Sequence, residues 1–97
     1  MKIKLLASAY RDLKQGRTFY EDQQESLGEY FFDSIFSDIE SLQLYAGVHS
    51  VVYGYYRLLC KRFPFAIYYK INTNKNVLIY RVLDCRQLPR KTKNQLT

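Results

Sequence analysis

The chain changes texture at its midpoint, and that change constrains its fold more than any other feature. Up to about residue 47, apolar residues return every three or four positions, the repeat of helices lying on a core. From Val51 they come in short runs of Tyr, Val, Ile and Leu, the composition of strands. A helical half followed by a strand-rich half predicts an α+β domain, with helices on one face of a small antiparallel sheet. At 97 residues there is room for one core, so residues 1–97 are read as a single domain.

Local signals give the element order. Ile3-Lys4-Leu5-Leu6 is apolar enough for a short strand, and the Ser8 hydroxyl can cap a following helix. Ala9, Leu13, Gly16 and Tyr20 share one face of that helix. Gly16 weakens its middle by about 1 kcal/mol relative to alanine unless close packing demands a glycine. Ser26-Leu27-Gly28-Glu29 has the spacing of a capping box. It opens a second helix whose core stripe is Leu27, Phe31, Ile35, Ile39 and Leu42, widened by Phe32 and Phe36, and Gly47 is a plausible stop. Val51 to Arg62 is expected as one strand bent at Gly54, Phe65 to Ile71 as the next, and Val77 to Leu83 as the last. Asn72 to Asn76 is the turn between the last two. The order is β-α-α-β-β-β. From about residue 88 a basic tail is expected to stay unfolded, since no apolar period organises it.

Strand alternation sorts the middle hairpin into two faces. Phe65, Ile67, Tyr69 and Ile71 should meet the helices, leaving Ala66, Tyr68 and Lys70 open, with Arg57 and Lys61 on the same side. The expected surface is concave and basic, with tyrosine on its floor. Charge reinforces it. Residues 1–48 hold five basic and eight acidic groups, whereas residues 49–97 hold ten basic groups against Asp84 alone. Such a field favours an anionic partner: nucleic acid, an acidic protein segment or the acidic surface of a larger assembly.

Several functions are disfavoured. The apolar runs fall far short of the roughly 20 residues needed to cross a bilayer, and the start lacks the apolar stretch of a secretion signal, so a cytoplasmic protein is expected. Cys60 and Cys85 with the single histidine, His49, cannot assemble a zinc site, and both thiols are expected reduced and mostly buried. His49 is read as a loop histidine and not a catalytic base. No glycine-rich phosphate loop occurs, and no cofactor is called for. Metal-free RNA cleavage would use Arg57, Lys61, Arg62, Arg81 and Arg86 as cations, with Tyr68 the available proton carrier. Its phenol, ordinarily near pKa 10, would have to be shifted far to serve. Binding without chemistry demands less, since arginine and tyrosine concentrate at the energetic centres of interfaces.

The residues also carry a resemblance. Ala9-Tyr10-Arg11-Asp12-Leu13, Phe19-Tyr20-Glu21, Leu27-Gly28-Glu29-Tyr30-Phe31, Tyr56-Arg57, Arg62-Phe63-Pro64-Phe65-Ala66-Ile67-Tyr68-Tyr69 and Val82-Leu83-Asp84-Cys85-Arg86-Gln87-Leu88-Pro89 together resemble the RelE/ParE toxin superfamily of type II toxin–antitoxin systems. The resemblance implies a β-α-α-β-β-β fold and a cognate antitoxin whose flexible segment wraps the toxin, so that a hetero-oligomer is expected. It implies one of two activities: ribosome-dependent cleavage of messenger RNA by RelE-type members, or inhibition of DNA gyrase by ParE-type members. Arg57 stands where RNA-cutting members place a lysine, and Arg86 matches their arginine after the last strand. Leu59 and Ala66 replace further basic residues of those members, and Thr92 lies roughly where they carry a C-terminal tyrosine. The resemblance is therefore closer to the ParE type. Target binding is expected of Arg86 with Arg90 and Lys91, and then of Arg57, Lys61, Arg62, Arg81 and Tyr68. The alternatives are an endonuclease built on Arg57, Arg81 and Arg86, and a non-toxic member that only binds its antitoxin and co-regulates transcription.

Overall fold

The computed structural model describes residues 1–97, in the order β1 (Ile3–Leu5), α1 (Ala7–Gln23), α2 (Leu27–Glu40), α3 (Leu42–Tyr45), β2 (Val51–Val52), β3 (Tyr55–Leu59), β4 (Phe65–Ile71), β5 (Val77–Asp84) and α4 (Pro89–Leu96). The fold is α+β, with helices first and strands after, as the change of texture implies. All strands lie in one sheet, in the order β1-β5-β4-β3-β2. β2 to β5 form an antiparallel meander. β1 adds a parallel edge, with Ile3 opposite Val77 and Leu5 opposite Ile79, so the complete sheet is mixed. No helix is long and apolar enough to cross a membrane.

The principal core lies between α1, α2 and one face of the sheet. Leu13, Phe31, Ile35, Ile67, Tyr69 and Ile79 are fully buried there. Gly16 is explained by packing. A Cβ at that position would stand 2.6 Å from the ring of Phe31, so the bare backbone of α1 is the seat of that ring. At Gly28 a Cβ would meet the Arg17 carbonyl oxygen at 2.5 Å, and the two helices cross closely there.

Both expected helix caps are replaced by longer-range contacts. Leu6, not Ser8, holds the cap position of α1, and the Ser8 hydroxyl donates to the Tyr80 carbonyl at 2.6 Å. Ser26 precedes α2 in the left-handed region (φ 71°) and makes no side-chain cap. The Glu21 carboxylate instead accepts the Ser26 and Gly28 N–H groups at 3.0 and 2.9 Å. A carboxylate at a helix N-terminus also meets the positive end of the helix dipole.

The strand expected over Val51 to Arg62 is two strands. Tyr53 and Gly54 both adopt positive φ, 54° and 84°, the geometry of a two-residue turn that matches strand twist. Gly54 reverses the chain here instead of bending it. Beyond the turn, the Tyr69 hydroxyl accepts from Gly47 N–H at 2.9 Å and bonds His49 Nδ1 at 2.5 Å. His49 thus sits against the sheet, with its pKa lowered by burial.

The basic tail is folded. Pro89 occupies the first turn of α4, where its missing N–H costs nothing. Thr92 and Leu96, one turn apart, are buried, and Leu96 packs with Ala66, Tyr68 and Leu83. The Tyr55 hydroxyl donates to the Leu96 carbonyl at 2.8 Å. The sheet face expected to be open is therefore half covered by α4. The anchoring residues are too few to give a period in sequence.

The cysteines flank the start of β4. Cys60 N–H donates to the Phe65 carbonyl and Cys85 N–H to the Pro64 carbonyl. Two strand spacings, roughly 9–10 Å, exceed the about 7 Å that a disulfide can span between Cα atoms. Both are free thiols, but Cys85 is exposed, contrary to expectation. Burial, and then the Asp38 carboxylate, push the Cys60 thiol far up. An alkylating reagent near neutral pH should label Cys85 in the folded protein, whereas Cys60 should react only after denaturant is added. Equal labelling rates in the folded protein would contradict this placement.

Candidate interaction surface

β1 leaves β5 after Ile79, where the Leu6 N–H donates to the Ile79 carbonyl. Beyond that point the edge of β5 is finished by α1 side chains in place of a strand. Ser8 takes the Tyr80 carbonyl, and one turn later Asp12 Oδ2 accepts the Val82 N–H at 2.9 Å. A bulge in the β4–β5 pairing falls here, with Arg81 opposite Tyr68 and Ile79 opposite Tyr69. The extra residue brings Arg81 to the edge, where Nε and Nη2 grip the same Asp12 carboxylate at 2.7 and 2.9 Å. Its Nη1 donates to the Gln95 carbonyl of α4 at 3.0 Å. Arg81 is thus a tie between α1, β5 and α4. It is not the free cation expected from sequence.

Arg57 lies on the face that α4 partly covers, directly opposite Tyr68. Together they line a pocket of about 130 Å³ with Tyr53, Cys85 and Thr92. Burial raises the Tyr68 phenol above its ordinary value, and this outweighs the pull of the Arg57 guanidinium in the opposite direction. That makes Tyr68 a poorer base than free tyrosine. The Thr92 hydroxyl in the same pocket accepts from the Gln87 amide at 2.8 Å.

Arg86 lies elsewhere. Its Nε and Nη2 bind the Asp84 carboxylate at 3.0 and 2.7 Å, and Nη2 also reaches the Tyr20 hydroxyl of α1 at 3.4 Å. The guanidinium holds the Asp84 carboxyl below the usual carboxylate range. Tyr20 packs against Phe19 and Phe63, and Phe63 against Tyr30. Phe19 and Tyr30 are each about half exposed, at 51% and 50%. Lys61 and Arg62 are exposed in the β3–β4 connection beside Phe63. Arg90 and Lys91 are exposed on α4, where Lys91 lines a cleft with Phe19 and Asp84.

The fold therefore separates the three arginines required for a nuclease. Arg57 faces the small pocket, Arg81 is bound to Asp12, and Arg86 reaches toward the helical layer. What it gathers is an end of the molecule where Arg86, Arg62 and Lys61 accompany two half-exposed aromatic rings. Phe19 and Tyr30 did not stand out in sequence. Their signal is that each lies next to a buried aromatic, Tyr20 and Phe31, and off the core stripe.

The whole arrangement has relatives. Residues 3–89 match the family model for the ParE toxin of type II toxin–antitoxin system, parDE. Among solved structures, a chain of the chromosomal ParDE TA system from P. aeruginosa superposes with a TM-score of 0.75 at 23% identity, covering 84% of this chain and 92% of that one. No curated protein sequence matches. With nearly its full length matched by the family model, and with the same fold in a ParDE chain, this chain belongs to the ParE toxin family.

Proposed function

We propose that the protein is the toxin of a toxin–antitoxin pair, that it inhibits DNA gyrase by binding it, and that a cognate antitoxin neutralises it. The observation that carries this over RNA cleavage is the engagement of Arg81 by Asp12 and Gln95. A metal-free nuclease needs several cations aimed at one phosphate and a group to move the proton. Here the cations point to three places, and the tyrosine beside Arg57 has its pKa raised. The exposed Arg86 end, with Phe19, Tyr30 and Arg62, has the composition of an interface hot spot. Arg90 and Lys91 on α4 extend its charge.

The test is a supercoiling assay with purified protein. Gyrase should lose activity or accumulate cleaved DNA, while ribosome-bound message stays intact. Message cut on ribosomes with gyrase untouched would replace this reading with the endonuclease. Unimpaired growth on expressing the folded protein alone would favour the non-toxic co-regulator. Arg86→Ala should reduce gyrase inhibition at least tenfold with the thermal midpoint nearly unchanged, because the arginine is itself exposed and its partners are a half-buried carboxylate and a tyrosine hydroxyl. Retained inhibition would remove Arg86 from the target surface.

A further inference from the structure

Exposed basic residues gather at two ends of the sheet. β4 spans seven residues, roughly 20 Å at about 3.3 Å per residue. At the end where β4 begins and β5 finishes lie Lys61, Arg62 and Arg86. At the opposite end, where β4 turns into β5 and β1 begins, lie Lys2, Lys4, Lys70 and Lys75.

The lysine end continues across the sheet past the last turn of α4, whose Leu96 carbonyl meets the Tyr55 hydroxyl. Pairing sets Val52 opposite Tyr55, and Lys70 and Lys4 on either side of Leu78. The Lys70 ammonium lies 4.6 Å from the Tyr55 ring centroid, which joins these pairs into one row across all five strands. Tyr80 stands beside the row, its ring 5.2 Å from that of Tyr55 and 5.6 Å from the Lys70 ammonium. Lys4 and Lys70 are exposed. No acidic side chain lies in the row: Asp84, the only acidic side chain after residue 40, is at the other end of β5, paired with Arg86.

We infer that this row is the docking surface for an acidic, partly apolar segment of the antitoxin, distinct from the arginine end that meets the target. The inference rests on the toxin–antitoxin reading above. Charge complementarity selects an acidic partner. Leu78 and Val52 select a polypeptide over a nucleic acid, because they offer apolar side chains a contact that phosphate and sugar do not use. Tyr55 and Tyr80 already pack on each other and carry Lys70, so their faces are not free platforms for bases. Lysine also suits a flexible segment better than arginine does. A point charge on a long stem tolerates many carboxylate positions, whereas a guanidinium favours a fixed bidentate geometry.

The experiment compares the full-length protein with a Lys4→Glu/Lys70→Glu variant. Each is titrated with the cognate antitoxin, expected to be encoded in the neighbouring reading frame, at low and high salt, and assayed separately for gyrase inhibition. The variant should bind at least thirtyfold more weakly and lose most of the salt dependence, with inhibition of gyrase in the absence of the neighbour unchanged. Because both lysines are exposed, circular dichroism and the thermal midpoint should match wild type, and the single Lys70→Ala variant should show the same trend in smaller measure. Equal affinity of wild type and variant would overturn the inference while leaving the toxin–antitoxin reading intact. So would a variant that keeps the neighbour protein but loses a single-stranded oligonucleotide bound by wild type. A wild-type protein that fails to bind its neighbour at all would instead remove the antitoxin reading, and this inference with it.

Discussion

Asp12→Ala should destabilise the protein by about 3–5 kcal/mol, the usual cost of removing one partner from a buried ion pair. The carboxylate is 8% exposed and takes three hydrogen bonds, two from the Arg81 guanidinium and one from the Val82 backbone. Removal leaves a part-buried guanidinium with only the Gln95 carbonyl as partner and an unpaired amide at the edge of the sheet. Urea denaturation followed by circular dichroism would measure the loss. Asp12→Asn should cost less, since an amide oxygen can still accept from Val82. Arg81→Ala should cost less than Asp12→Ala, because Asp12 keeps its backbone donor. Equal stability of Asp12→Ala and wild type would show that solvent replaces the carboxylate without penalty.

Phe31→Ala should cost a comparable amount, about 3–5 kcal/mol, through lost burial and the cavity left behind. The ring is fully buried, stacks on Tyr20 at 5.1 Å and packs edge-on to Phe63 and Phe65 at 5.1 and 5.0 Å. It also explains the unfavourable glycine beneath it. In wild type, Gly16→Ala should destabilise by about 1–3 kcal/mol, since overpacking outweighs the gain in helix propensity. In the Phe31→Ala background the clash is absent, and the same change should be neutral or stabilising by up to about 1 kcal/mol. A double-mutant cycle reads this reversal directly. An unchanged sign in both backgrounds would detach Gly16 from the ring.

Features repeated along the chain were readable from sequence, whereas features made by single long-range contacts were not. The stripe through Phe31, Ile35 and Ile39, and the alternation of Phe65, Ile67 and Tyr69, each repeat one physical preference several times, and the structure follows both. The caps failed for the opposite reason. Ser26 with Glu29 satisfies the local spacing, but Glu21 takes the Ser26 amide, and that of Gly28, from the preceding helix. The Tyr53-Gly54 reversal lacked the asparagine or aspartate that usually marks such a turn. In the candidate site, the basic character of the second half was legible from charge alone. Arg81 could not be told from Arg57 or Arg86, because its partner Asp12 lies 69 residues away in sequence.

The parallel pairing of β1 with β5 has a consequence for how the molecule comes into being. β1 leaves the ribosome first, and its partner, Val77 to Ile79, emerges more than seventy residues later. At about 5–20 residues per second, the nascent chain waits roughly 4–15 seconds before its opening strand can be enclosed. The Asp12–Arg81 tie is subject to the same delay. A growing chain of this kind has no complete sheet until β5 has emerged, so its working surface cannot be assembled strand by strand from the start.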